Sequence, residues 1–361
     1  MDEKKVRAWL NLKLAKSITA KNAKNLVEKF GAVELFEDKK DILKQFLDKT
    51  SFEELFSSET NKRIENTLRI LSNSDIKFIT LTDKEYPQSL KTLYSPPLFI
   101  LLKGSYLRDK LKPALGVVGT RKLSNYGKMA TRKITTELVK SGFSIISGLA
   151  YGADAVAHTA TLDNNGFTVA VLGTCVNKIY PKVNQKLADR ILDLGGSLIS
   201  ENLPDTPAEP WVFPARNRII SGLSQGVLVT EGPIKSGALL TAKFALQQGK
   251  NVFAIPGDIF RQQSKGTNYL IKCGAKPVCE SKDILEEYGV ISNLKRQNKI
   301  DLTPEQKIVY ELILESRPEI SFDKLLIKTS LNIGDLSSIL LELEMNNLIS
   351  KQPGNMISVS F

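Results

Sequence analysis

Gly116-Val117-Val118-Gly119-Thr120-Arg121 brings together the residue types of an anion site. Leu115–Val118 is a short Val-rich apolar run and reads as a buried strand. Gly119 lets the backbone turn sharply, having no Cβ to clash. Thr120, Ser124 and Asn125 can satisfy loop and helix-start amides, with a helix expected near Tyr126. A strand, a tight turn and a helix N-terminus aim unpaired N–H groups and the helix dipole at one spot. Arg121 adds a fork of donors suited to phosphate. At this level an ordinary βα turn with a solvated arginine remains the alternative.

Three further stretches carry similar chemistry. In Phe213-Pro214-Ala215-Arg216-Asn217-Arg218-Ile219-Ile220, Pro214 is expected to open a helix, placing Arg216, Asn217 and Arg218 in its first turn. Cations oppose the dipole there, so an external anion would resolve the conflict. Glu231-Gly232-Pro233-Ile234-Lys235-Ser236-Gly237 reads as a strand-end loop whose helix carries Lys243. Ile179-Tyr180-Pro181-Lys182 with Asn184 is another such loop. With Ser147-Gly148 ending a further strand, the candidate phosphate-binding set is Gly119, Thr120, Arg121, Ser147, Gly148, Lys182, Asn184, Arg216, Asn217, Arg218, Ser236, Gly237 and Lys243. A mononucleotide needs one such pocket. Several loops along one sheet edge fit an extended single strand better.

Other chemistries are poorly served. A dinucleotide fingerprint needs G-x-G-x-x-G and a later acid, whereas Gly116 and Gly119 are separated by two residues. Between Gly119 and Gly127-Lys128 lie seven residues, and Met129 follows, so no Walker A loop is present. Asp154 and His158 share a helix face, but no nucleophile elbow accompanies them, and a buried structural pair is expected. Cys175, Cys273, Cys279 and the single histidine supply neither a disulfide framework nor an ordinary zinc site, so no metal or cofactor is expected.

These loops must be positioned by a sheet. From Leu115 to about Glu280, apolar runs at Leu115–Val118, Phe143–Ile146, Thr168–Leu172, Ser197–Ile199, Val227–Val229 and Asn251–Ile255 alternate with helical stretches. This spacing predicts right-handed βαβ crossovers and a doubly wound, mostly parallel α/β sheet of Rossmann-like type. Ligands then bind beyond the carboxyl ends of the strands. Residues 1–75 read as a helical module, of sterile-alpha or helix-hairpin-helix type or a plain interaction module, and 76–290 as the sheet domain, with Ile76–Gly104 bridging into it. Residues 291–300 are a polar linker, and 301–361 show the three helices and hairpin of a winged helix. Its third helix, expected over Asp335–Asn347, contains Glu342 and Glu344 but no Lys or Arg, which favours protein contact or a structural role over groove reading.

Charge agrees with the motifs. The chain has 361 residues, a formal net charge of +11 and pI ≈ 9.3, with mean hydropathy -0.13. From Leu111 to Ala150, Lys112, Arg121, Lys122, Lys128, Arg132, Lys133 and Lys140 face one acid, Glu137. A polyanion partner, nucleic acid first, is implied. Neither a spanning apolar run nor a signal-peptide pattern is evident, so a cytoplasmic location is expected.

Taken together, the motifs are specific. Gly116–Arg121 with Tyr126-Gly127, Ser147–Asp154 with Ala157-His158, Val171-Leu172-Gly173, Tyr180-Pro181 and Asn184, Phe213–Ile220, Ser236–Ala242, Ile255-Pro256-Gly257 and Gly274-Ala275 resemble the DNA-processing protein A (DprA/Smf) family over about Leu98 to Glu280. The resemblance implies a dimeric, non-catalytic protein that binds and protects incoming single-stranded DNA and loads the recombinase RecA in natural transformation. It implies DNA contacts at Arg121, Lys182, Arg216 and Arg218. It also implies subunit pairing through Asn251–Ile255 and Tyr269–Ile271, hence Val252, Ala254, Tyr269, Leu270 and Ile271. Ala153 and Cys175 depart from the usual isoleucine and glycine.

The alternative is an enzyme on the same sheet type, resembling cytokinin-activating phosphoribohydrolases. Their Pro-Gly-Gly-x-Gly-Thr-x-x-Glu loop would fall at Glu231–Thr241, which lacks both the double glycine and a downstream glutamate. A nucleotide-sensing effector is a third class, distinguished by tight mononucleotide binding.

Overall fold

A computed structural model describes residues 2–15, 18–105, 113–290, 302–316, 319–346, 348–352 and 354–359. The expected linker at 291–300, together with Lys112, lies outside the described residues. Two compact units form, one over Met1–Asn293 and one over Leu294–Phe361.

The first unit begins with six helices: α1 (Glu3–Leu14), α2 (Ala20–Phe30), α3 (Ala32–Glu37), α4 (Lys40–Phe46), α5 (Lys49–Leu55) and α6 (Ser58–Ser72). Their starts are set by short polar side chains. Asp2, Thr19, Asp48 and Ser57 each accept a hydrogen bond from the amide three residues on, which satisfies a donor the helix itself leaves unpaired. Trp9, Leu10, Leu12, Leu35, Leu43 and Ile64 are fully buried beneath them.

The sheet elements follow as β1 (Lys77–Thr80), α7 (Gln88–Lys91), β2 (Phe99–Gly104), β3 (Ala114–Val118), α8 (Asn125–Lys140), β4 (Ser144–Ser147), α9 (Ala153–Asp163), β5 (Thr168–Val171) and α10 (Gln185–Asp193). They continue through β6 (Ser197–Ser200), α11 (Val212–Leu223), β7 (Gly226–Val229), α12 (Gly237–Gln247), β8 (Asn251–Ala254), α13 (Lys265–Lys272), β9 (Lys276–Pro277) and α14 (Lys282–Glu287). The nine strands are ordered β1-β2-β6-β5-β4-β3-β7-β8-β9. All neighbours from β6 to β9 pair in parallel, while β1 and β2 form an antiparallel edge.

Strand alternation explains the two covered faces. Leu115 and Val117, with Leu228 and Phe253, pack in a cluster with Ile134 and Leu138 of α8 and Ile284 and Leu285 of α14. Ala114, Val118, Val227 and Val229 belong to the larger cluster, which includes Ile219 and Ile220 of α11 and extends to Trp9 and Leu10 of α1. From β3 the chain winds first toward β4 and later returns on the opposite side as β7, so β3 and β7 flank the topological switch point.

The second unit contains α15 (Pro304–Glu315), β10 (Ile320–Ser321), α16 (Phe322–Thr329), α17 (Ile333–Met345), β11 (Ile349–Gln352) and β12 (Met356–Val359). Thr303 and Gln306 form a reciprocal capping box at the start of α15. A three-stranded sheet in the order β10-β12-β11 joins the helices around Val309, Leu325, Leu336 and Leu340. The sequence missed β10, whose two residues are too few to show a period. Among the described residues, no helix is long and apolar enough to cross a membrane.

Candidate nucleic-acid interface

A cleft of about 410 Å³ opens at the switch point. Its walls come from the loop after β3, the loop after β7 with the start of α12, and α11, which runs along the floor. Gly119, Thr120, Arg121, Arg216, Asn217, Ser236 and Gly237 all line it, from three separate stretches of sequence.

Backbone packing fixes the first loop. A Cβ on Gly119 would stand 2.6 Å from the Ala153 Cβ and 2.7 Å from Thr230 Oγ1, so only glycine permits this approach. The Thr120 amide donates to the Glu231 carbonyl at 2.7 Å. Glu231 is buried, and its carboxylate accepts from the Ser124 amide at 2.8 Å and the Ser124 hydroxyl at 2.7 Å. Ser124 in turn caps α8 through the Gly127 amide. One carboxylate thus locks the Arg121 loop to the loop after β7.

Arg216 forms the charged floor. It is buried, donates through Nε to Asn217 Oδ1 and through Nη1 to the Gly148 carbonyl at 2.7 Å and to the Val171 carbonyl. Burial pushes its guanidinium down to about 10; Asp154 opposes that fall and Arg121 reinforces it. Asp154, also buried, accepts from the amides of Gly148 and Ala150. Burial drives its carboxyl above the usual range despite the pull of Arg216. Between them, Leu149 holds a left-handed conformation with φ 58, which costs energy for a branched residue. Asn184 holds that loop by donating to the carbonyls of Leu149 and Ala150.

His158 is not paired with Asp154. Its Nδ1 meets Thr168 Oγ1 at 2.7 Å, and the hydroxyl donates onward to the Ile145 carbonyl, leaving Nδ1–H as the donor to Thr168. Burial, with a smaller contribution from Arg216, pushes the imidazole down to about 3. It is a neutral core group.

The expected helix start at Pro214 is corrected. α11 begins at Val212, because the amide that proline lacks at the third position would be unpaired in any first turn. Arg216 and Arg218 therefore lie beyond the first turn, and the dipole conflict that implied an external anion does not arise. Arg218 is turned into an ion pair with Glu201 instead, Nη2 lying 2.8 Å from Oε2, while Nε donates to the Ser95 carbonyl. Burial would raise Glu201, but Lys13 and Arg218 outweigh it and bring it down to about 2.

The remaining residues are placed around the cleft rather than in its walls. Ser147 donates to the Val117 carbonyl within the sheet. Gly148 lies against the Arg216 guanidinium, where a Cβ would approach to 2.4 Å. Lys182 is exposed two residues beyond Tyr180, and Lys243 is exposed on α12. Val252, Ala254 and Leu270 are buried within the chain, and β8 is already paired on both sides. Tyr269 is exposed and Ile271 half-buried.

Sequence reasoning missed an aromatic row. The Arg121 guanidinium sits over the Phe213 ring, 5.7 Å from its centroid, and Tyr180 lies 5.2 Å from the same ring. Tyr180, Trp211 and Tyr151 are all exposed. Tyr180 beside Lys182 and Phe213 beside Arg216 were the available signal, but their separation along the chain hid the proximity of Tyr180, Phe213 and Arg121.

A model of the DNA recombination-mediator protein A family matches residues 77–289, and a DprA winged helix domain matches 295–355. The chain belongs to the DNA recombination-mediator protein A family. Within that family, it is 40% identical to the DNA processing protein DprA of Bacillus subtilis over 62% of this chain and 75% of the relative. It is 37% identical to the Smf protein of Escherichia coli over 84% of this chain and 82% of the relative. The crystal structure of DNA processing protein A from Streptococcus pneumoniae superposes with a TM-score of 0.67 at 34% identity, covering 77% of this chain and 95% of that one. A Helicobacter pylori DNA processing protein A, solved for its single-stranded DNA binding mode, matches with a TM-score of 0.52 at 28% identity, over 59% of this chain and 95% of that one.

Proposed function

We propose that the protein binds single-stranded DNA along the switch-point cleft and serves as a recombination mediator that protects incoming DNA and delivers it to RecA in natural transformation. The single observation that carries this reading is the seating of exposed Arg121 on Phe213 in a cleft that buried Arg216 also lines. An exposed and a buried cation in one cleft suit a phosphate backbone, and an aromatic ring lining the same cleft suits an unpaired base. The family membership and the DNA-binding relative support the same conclusion.

No catalytic step is assigned. Among the described residues, the one buried carboxylate lining the cleft, Asp154, is engaged by two backbone amides, and His158 is a neutral core group. Incubation with nucleoside monophosphates is expected to release no base. Pairing of two subunits, in the cytoplasm, is assigned to the accessible face of α13 at Tyr269 and Ile271.

The test compares single- and double-stranded oligonucleotides by gel shift, alongside a RecA strand-loading assay. Single strands should bind better, and RecA loading should fall in an Arg121→Ala/Lys182→Ala chain. Equal binding of both DNA forms, or undiminished loading by that variant, would overturn the reading.

A further inference from the structure

The loop after β8 ends in a turn with an unusual tip. The Arg261 amide donates to the Asp258 carbonyl at 3.1 Å, which closes a four-residue turn with Ile259 and Phe260 at its centre. Turn tips ordinarily carry Gly, Asn, Asp or Ser. Here Ile259 is 71% and Phe260 88% exposed. The tip is also preorganised: the Phe260 amide donates to Asp258 Oδ1 at 2.9 Å. At the loop's base, Asn268 clamps Gly257 with two hydrogen bonds.

This turn is fastened to the cleft from two sides. The Gly232 amide donates to the Gln263 carbonyl at 2.7 Å and the Gly266 amide to the Gly232 carbonyl at 2.9 Å, joining it to the β7 loop that forms one wall. Tyr126, near the start of α8, donates its hydroxyl to the Pro256 carbonyl at 2.7 Å, joining it to the Arg121 loop's helix. Strands β3, β7 and β8 are consecutive neighbours, so their loops rise about 10 Å apart from first to last. That is the length of about three nucleotides at the roughly 3.4 Å rise of a stacked strand, and of fewer where the strand is stretched. Asp258 pairs with Arg261, leaving exposed Lys235 and Lys265 as the charge surplus around the tip.

Resting on the single-strand reading above, we infer that the Ile259–Phe260 tip is a second base-stacking platform, which receives the bases of a DNA strand as it leaves the cleft past β7. Lysines hold the backbone, the ring takes a base face, and the rigid turn removes the ordering cost of presenting it. The occupant is polyanionic and carries flat apolar faces. Both properties match this patch.

The test uses the full chain and oligothymidylates of graded length. Phe260→Ala should leave binding of strands just long enough to fill the cleft unchanged, and weaken longer ones by about 5- to 160-fold, the range of one lost stacked base. Phe260→Trp should retain binding of long strands, with tryptophan fluorescence quenched by long strands and not by short ones. If Arg121→Ala weakens all lengths while Phe260→Ala binds every length as the parent does, the platform is wrong and the cleft stands. Should Phe260→Ala instead reduce self-association in sedimentation with DNA binding intact, a second copy of the chain covers the tip and the inference falls. If the parent chain binds no single strand, the cleft reading fails too.

Discussion

Arg121 lies over the ring of Phe213, its guanidinium carbon 5.7 Å from the ring centroid. The arginine is otherwise exposed, on a loop whose position is fixed by Thr120 and Ser124 through Glu231. The ring therefore narrows the orientations of a side chain that would be free in water. On the proposed function, part of the entropy cost of gripping a phosphate would be met before DNA arrives.

Arg121→Ala should weaken single-strand binding by roughly tenfold, equally for all base sequences, because a phosphate contact carries no base information. The dependence of log affinity on log salt should become shallower by about 1, the loss of one cation. Filter binding across a salt series measures both. A sequence-dependent loss would place Arg121 on base edges instead.

Phe213→Ala removes a stacking face and also frees Arg121. Its cost should be about 1–3 kcal/mol in binding, the range for one stacked base. In a double-mutant cycle with Arg121→Ala, the two losses should sum to more than the double variant shows, by roughly 0.5–1 kcal/mol, because each single change disturbs the other's group. Strict additivity would mean that the ring does not position the arginine.

Arg218 should behave differently from Arg121. Its guanidinium is committed to Glu201, which also meets Lys13 of α1 at 3.5 Å, so this buried group joins the first helix to the sheet. Arg218→Met should cost about 3 kcal/mol of stability by leaving Glu201 short of a partner. In the folded variant, DNA affinity at neutral pH should stay within about twofold. The sign with acid follows from the lowered carboxyl. Glu201 is held at about 2 against an ordinary 4.5, so its stabilisation is complete above the ordinary value and is lost as pH falls from 4.5 toward 2. Glu201→Gln should lower stability at pH 7 and flatten that acid limb in denaturant melts across pH.

How much of this could be read from the residues depended on range. The parallel sheet was legible because Leu115–Val118 or Thr168–Leu172 declare a buried strand by themselves, and their spacing declares the crossovers. That Gly119, Arg121 and Ser236 sit on strand-end loops, which the structure brings to one cleft, was legible for the same local reason. The partner of Arg218 was not: Glu201 stands 17 residues away on another strand's end, and no spacing rule links them. Without that partner, two arginines in one helix looked like a matched pair facing one ligand. The structure divides them. Arg216 floors the cleft, and Arg218 staples the chain behind it. The aromatic row was hidden likewise, since Arg121, Tyr180 and Phe213 approach one another only after three crossovers.

The winged module should contribute little to gripping DNA. Its α17 occupies the place of a recognition helix, yet its charged residues are Asp335, Glu342 and Glu344, with no base among them. Glu342 is bound by the Gln306 amide group and Glu344 pairs with Lys351 at 3.6 Å, so neither is a vacancy awaiting a cation from a partner. A helix of this charge would repel phosphates and release no counterions on approach. A chain ending at residue 290 keeps the whole cleft and both sheet clusters, since Met1–Asn293 forms a compact unit of its own. It should bind single strands within about twofold of the full chain and with the same salt slope. A markedly shallower slope for the shortened chain would show that the module supplies cations to DNA through another face.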